Sequence, residues 1–134
     1  MQNMNLDKEA LASLVAVVGT TYVQGGITRT VLERTEYPEN YTINFNLIEV
    51  PNGCSANPHT HPGLEITYVL DGEFDLVTEG KPDRRFKKGM SYMVADSEVH
   101  FARVVSDIPM KLLCVFINEK NKPVAKVMGA AEKR

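Results

Sequence analysis

From Thr28 onward the chain is patterned with a period of two. Leu64, Ile66, Tyr68 and Leu70 alternate with Glu65, Thr67 and Val69. A strand here puts an apolar set on one face and a set holding a carboxylate on the other. Tyr41, Ile43, Phe45 and Leu47 alternate in the same way with Thr42, Asn44 and Asn46. After Leu47 the apolar positions shift to Ile48 and Val50, which predicts a bulge or a bend between two sheets. Further strands are expected over Thr28 to Arg34, Glu73 to Thr78, Arg84 to Phe86, Met90 to Ala95, Glu98 to Val105 and Lys111 to Ile117. Turn-forming residues separate them, among them Pro38-Glu39-Asn40, Pro51-Asn52-Gly53 and Lys88-Gly89. Asp71-Gly72 reads as a type I′ hairpin, so Glu73 to Thr78 is expected to return antiparallel to the preceding strand. Roughly eight or nine short strands without alternating helices argue for an all-β sandwich or closed barrel.

Before this region the period is different. Residues 5–18 can form a short helix capped by Asn5 or Asp7, with Leu6, Ala10, Leu14 and Val17 on one face. The β-branched cluster Val15, Val17 and Val18 leaves a strand open at its end, and Gly25-Gly26 stops whatever precedes it. The chain is thus expected to divide into an N-terminal segment, residues 1–27, a barrel, residues 28–124, and a basic tail, residues 125–134. The polar stretch from Asn118 on is expected to be loosely held.

Composition excludes several functions. A chain of 134 residues is one domain with room for one core. Its net charge of −2 and lack of a basic stripe argue against nucleic acid as a partner. No apolar run reaches the length of a membrane span. Leu11 to Gly19 is preceded by Asp7, Lys8 and Glu9, a poor signal peptide, so a cytoplasmic location is expected and export from a truncated signal is the alternative. Cys54 and Cys114 are read as two free thiols, although they are able to pair. There is no Gly-rich phosphate loop and no GxSxG motif.

The chain has three histidines. His59 and His61 stand two apart, a spacing that on a strand sends both imidazoles to one side. Glu65 follows on the next strand, and His100 comes from a distant one that an antiparallel barrel can bring alongside. Glu65 shares its parity with Thr67 and Val69 and is expected to point inward, where an unpaired carboxylate is costly and a cation would relieve the cost. Three imidazoles and one carboxylate suit one divalent transition metal: Fe, Mn, Ni, Zn, Co or Cu.

Gly53, His59, His61, Glu65 and Gly72 fall at the fixed positions of a known signature: G, five residues, HxH, three or four residues, E, six residues, G. Gly89 and His100 fit the spacing of its companion, where Ala95, Ser97 and Val104 stand in place of proline, glycine and asparagine. In these motifs the chain resembles the cupin superfamily, specifically the small single-domain bacterial cupins. The resemblance implies a double-stranded β-helix, or jelly-roll barrel, with His59, His61, Glu65 and His100 as metal ligands. It also favours a homodimer, which would cover the apolar face carrying Leu64, Ile66, Tyr68 and Leu70.

Strand parity sketches the surroundings of such a metal. Thr67 and Val69 join Glu65, and Ala102 joins His100. One face of the Tyr41 strand, with Ile43, Phe45 and Leu47, is expected to line the barrel, as is Met93 or Tyr92. Phe45, Thr67, Met93 and Ala102 are thus candidate substrate-pocket residues, for a small-molecule ligand in a mostly apolar cavity. Glu65 is the candidate catalytic residue, as a ligand or as a group that detaches to move a proton. The resemblance is compatible with a metal-dependent dioxygenase, a decarboxylase or lyase, or an isomerase. A non-catalytic metal-binding or small-molecule-binding module is the alternative.

Overall fold

The computed structural model describes residues 17–53, 59–60, 63–95, 98–120 and 126–127. Among them are eleven strands and no helix: β1 (Thr21–Gln24), β2 (Ile27–Thr35), β3 (Tyr41–Val50), β4 (His59–Thr60), β5 (Gly63–Asp71), β6 (Glu73–Thr78), β7 (Arg84–Lys87), β8 (Ser91–Val94), β9 (His100–Val104), β10 (Met110–Glu119) and β11 (Lys126–Val127). They form two antiparallel sheets, ordered β1-β2-β3-β10-β5-β8 and β11-β4-β9-β6-β7, the two walls of a jelly-roll barrel. No helix among the described residues is long and apolar enough to cross a membrane.

The larger sheet is built around β10, which pairs β3 on one side and β5 on the other. Its register lines up interior rows. One runs Val31, Asn46, Cys114, Thr67 and Tyr92 across five strands. The next runs Asn44, Phe116, Glu65 and Val94. Opposite them, the smaller sheet presents Phe74, Leu76 and Thr78 of β6 beside Val104, Ala102 and His100 of β9. Phe74, Phe86 and Tyr92 pack ring against ring between the sheets, with centroids 4.8–6.0 Å apart. Each fully buried side chain of this kind contributes about 1.5–3 kcal/mol.

Three expectations are corrected. First, β3 keeps one register with β10 from Tyr41 to Val50, so there is no phase slip at Leu47. Asn46, Ile48 and Val50 are buried inside, while Ile43, Phe45 and Leu47 occupy the outer face. The register shifts instead in β2, between Val31 and Glu33, and between β10 and β5 at Lys111 and Leu112. Second, Asp71-Gly72 is not a hairpin. β5 belongs to the larger sheet and β6 to the smaller, so the chain turns a corner there. Gly72 takes φ +85, and a Cβ on it would lie 2.7 Å from the Met110 Cα. Third, Asn118 is no part of a loose tail, since it pairs with Thr42 in β10 and is buried.

β1 lies within the expected N-terminal segment and pairs with β2 as the edge of the larger sheet. The expected helix, residues 5–18, lies outside the described residues except for Val17 and Val18, which form a bend and a turn. Of the expected tail, residues 126–127 form β11 beside β4, and the rest lies outside the described residues.

Candidate functional site

Glu65 enters the interior because β5 alternates without interruption. Leu64 and the exposed Ile66 and Tyr68 look outward, while Glu65, Thr67 and Val69 are buried. Gly63 starts this strand at φ +116, where a Cβ would lie 1.7 Å from the Ile117 carbonyl oxygen. Only glycine allows β5 to approach β10 so closely at that point.

The Glu65 side chain is only 8% exposed. Thr67 Oγ1 donates to its Oε2 at 2.7 Å. The same hydroxyl oxygen lies 3.2 Å from Cys114 Sγ, and that thiol is 4.0 Å from Oε2. Tyr92 sits across the ladder from Thr67. Burial, reinforced by the Glu65 charge, pushes the Tyr92 phenol and the Cys114 thiol well above their ordinary ranges, so both stay protonated. One oxygen of Glu65 is therefore held by a local network of neutral hydroxyl and thiol groups.

The other oxygen faces His100. His100 Nε2 lies 3.5 Å from Glu65 Oε1, and the imidazole is 4% exposed. His100 Nδ1 lies 2.9 Å from the Glu98 carbonyl oxygen. A carbonyl only accepts, so Nδ1 carries the proton, and Nε2 of a neutral ring presents a lone pair. A lone pair facing a carboxylate oxygen in a buried space calls for positive charge between them. Either a proton or a metal cation supplies it. Burial pulls the His100 pKa down, but hydrogen bonding to Glu65 and to the Glu98 carbonyl outweighs it and holds the ring above its ordinary value. The donor set, one carboxylate oxygen and one imidazole nitrogen with its other N–H anchored, fits a transition metal.

The remaining two expected ligands are described in part or not at all. His59 is the direct ladder partner of His100. His61 lies outside the described residues, as does Cys54. Among the described residues no group of three or more His, Cys, Asp and Glu side chains gathers at one point.

A cavity of about 70 Å³ opens beside Glu65 and His100. Ala102 lines it, as expected, and Thr67 is buried against Glu65 rather than at the cavity wall. Phe45 does not line it, because the inner face of β3 supplies Ile48 and Val50 instead. Met93 is 58% exposed on the outer face of β8, and the inward residues of that strand are Tyr92 and Val94. Arg29, Leu76, Met110, Leu112, Cys114 and Phe116 also line the cavity and were not expected there. For Arg29 a signal existed, since Ile27 and Val31 share its parity.

The model of a Cupin domain matches residues 46–116, more than half of the chain. No curated protein sequence matches it. Among solved structures, a cupin-like protein from Thermotoga maritima is 22% identical with a TM-score of 0.64, over 77% of this chain and 76% of that one. The polyketide cyclase RemF from Streptomyces resistomycificus is 21% identical with a TM-score of 0.64, over 80% and 74%. The Lactobacillus farciminis oxalate decarboxylase, in a formate complex, is 18% identical with a TM-score of 0.66, over 81% of this chain and 33% of that one. At these identities the likeness is one of fold.

Proposed function

The chain belongs to the Cupin domain family, and from that premise we propose that it is a metal-dependent enzyme acting on a small organic molecule held inside the barrel, with His59, His61, Glu65 and His100 as the metal ligands. The observation that carries this reading is the facing of His100 Nε2 and Glu65 Oε1 across 3.5 Å in a buried space at a cavity wall. The ladder pairing of His59 with His100 supports it, because it sets the two backbone positions side by side. A divalent transition metal bound there (Fe, Mn, Ni, Zn, Co or Cu) supplies Lewis acidity toward a substrate oxygen, and oxygen chemistry if it is redox-active.

The protein's own groups do the rest. Glu98 fixes the ring of His100 through Nδ1. Thr67 holds Oε2 of Glu65. Glu65 either stays a ligand or, once released, takes a proton at Oε1. Apolar walls from Ile48, Leu112 and Phe116 limit the water that reaches the site. Two structures of similar fold are named as enzymes, a polyketide cyclase and an oxalate decarboxylase, which supports turnover. The reaction then falls among dioxygenase, decarboxylase or lyase, and isomerase types. A binding module without turnover is the second reading, favoured by how few polar groups line the cavity.

The outer face of the larger sheet supports a homodimer in the same reading. Phe45, Val115, Ile66 and Met93 lie in one row across four strands, and Leu47, Leu113 and Tyr68 in the next. Metal analysis of protein purified without added metal tests the central claim. About one equivalent of transition metal is expected in the wild type and far less in His100→Ala. Equal metal in both would refute the ligand set.

A further inference from the structure

Among the described residues one permanently cationic side chain, Arg29, lines the cavity and has no task in the metal reading. Arg29 lies on β2 between the buried Ile27 and Val31, and strand parity turns all three inward. Its ladder neighbours are Ile48 of β3 and Tyr22 of β1. It shares the cavity with Glu65 and His100. Burial pushes the Tyr22 phenol up, and the charge of the adjacent Arg29 pulls against it.

A guanidinium stays charged at any ordinary pH, and it is less strongly hydrated than an ammonium. Most of the walls around it are aliphatic: Ile27, Ile48, Val50 and Leu112. A partly desolvated cation among such walls is stabilised by an entering anion. The chemistry of that anion follows from the site. One planar fork of donors matches one carboxylate. Among the described residues Arg29 is the one guanidinium on these walls, which favours a single carboxylate over a phosphate dianion. About 70 Å³ beside Glu65 and His100 admits a small acid.

We propose that Arg29 is the anion anchor of this cavity and that the molecule it binds is a small monocarboxylate with a short apolar body, its carboxylate on the guanidinium and its body against Ile48 and Leu112. This deepens the proposed function and rests on its claim that substrate occupies the cavity beside Glu65 and His100. The bond at Arg29 itself does not require the metal.

Propionate serves as the probe, with isothermal titration calorimetry and methyl NMR on the full chain. Each is run after chelator treatment and again with Zn²⁺ added. Wild type is expected to bind propionate in both states. Arg29→Met should weaken binding about ten- to hundredfold, and Arg29→Lys should recover part of the loss. Inorganic phosphate and propanol should bind far more weakly than propionate. Equal propionate affinity in Arg29→Met and wild type overturns the proposal, as does no binding by wild type in either state. Phosphate binding as tight as that of propionate also overturns it. If Arg29→Met does not fold, the wild-type Ile48 and Leu112 methyl signals decide. Shifts on adding propionate support the anchor, and unmoved signals refute it. Arg29-dependent binding in a protein that takes up no Zn²⁺ would sink the metal reading and leave the anchor standing.

Discussion

His100 Nε2 faces Glu65 Oε1 across 3.5 Å, and neither group can donate to the other while the imidazole is neutral. Each is fixed from behind, His100 by the Glu98 carbonyl and Glu65 by the Thr67 hydroxyl. A proton or a cation placed between them would satisfy both.

Thr67 is the support most easily removed. Thr67→Val keeps the shape and deletes the hydroxyl that holds Glu65 Oε2. Metal affinity should fall about ten- to hundredfold, the usual cost of losing an outer hydrogen bond to a ligand. Competition against a chromophoric chelator reads this, and an unchanged affinity would mean that the hydroxyl does not orient Glu65.

Gly63 and Gly80 both hold positive φ, but only one is crowded. A Cβ at Gly63 would meet the Ile117 carbonyl oxygen at 1.7 Å, while one at Gly80 would meet nothing within 4 Å. Gly63→Ala should destabilise by about 3 kcal/mol or more, because backbone must move. Gly80→Ala should cost about 1–2 kcal/mol, from the left-handed conformation alone. Urea unfolding separates the two, and similar losses would contradict the close approach of β5 to β10.

Asp75 on the outer face of β6 carries a pH-dependent contribution. Its side chain is 14% exposed and accepts from Arg85 and from Arg103, the latter at 3.2 Å. Hydrogen bonding from Arg85, against some opposition from burial and with help from Arg103, holds its pKa below the ordinary carboxylate value. A depressed folded-state pKa stabilises the fold above the unfolded value of about 4, and the effect disappears as pH falls through the folded one. Asp75→Asn should therefore cost up to about 1 kcal/mol at pH 7 and progressively less below about pH 4. A stability gap that is constant from pH 7 to pH 2 would refute the pairing.

The apolar outer rows make an equally direct prediction. Ile66 is 39% exposed at the centre of one row, and Tyr68 is 47% exposed in the next. If two copies meet there, Ile66→Asp should convert a dimer to a monomer in sedimentation velocity with no loss of strand content. A wild type that sediments as a monomer would remove the homodimer from the proposed function.

The residues that were legible in the sequence lie on strands with one clearly polar and one clearly apolar set. β5 is such a strand, and its inward Glu65, Thr67 and Val69 followed from alternation alone. β3 was misread because both of its faces are apolar in part, and the buried residue nearest the centre is Asn46. An amide in the core defeats a reading based on hydropathy. β8 is only four residues long, too short for Met93 and Tyr92 to be told apart by pattern. The corner at Gly72 was hidden for another reason. A glycine with positive φ serves a hairpin and a crossing between sheets equally well, and only the later pairing of β6 with β7 and β9 decides.

That corner sets how this pair behaves. Glu65 belongs to the larger sheet and His100 to the smaller. A cation bridging them, as proposed, would rivet one wall of the barrel to the other. Parting the walls and releasing it would then become a single event. Thermal resistance would climb with free cation concentration by mass action, and the barrel would loosen first along the seam between its two layers.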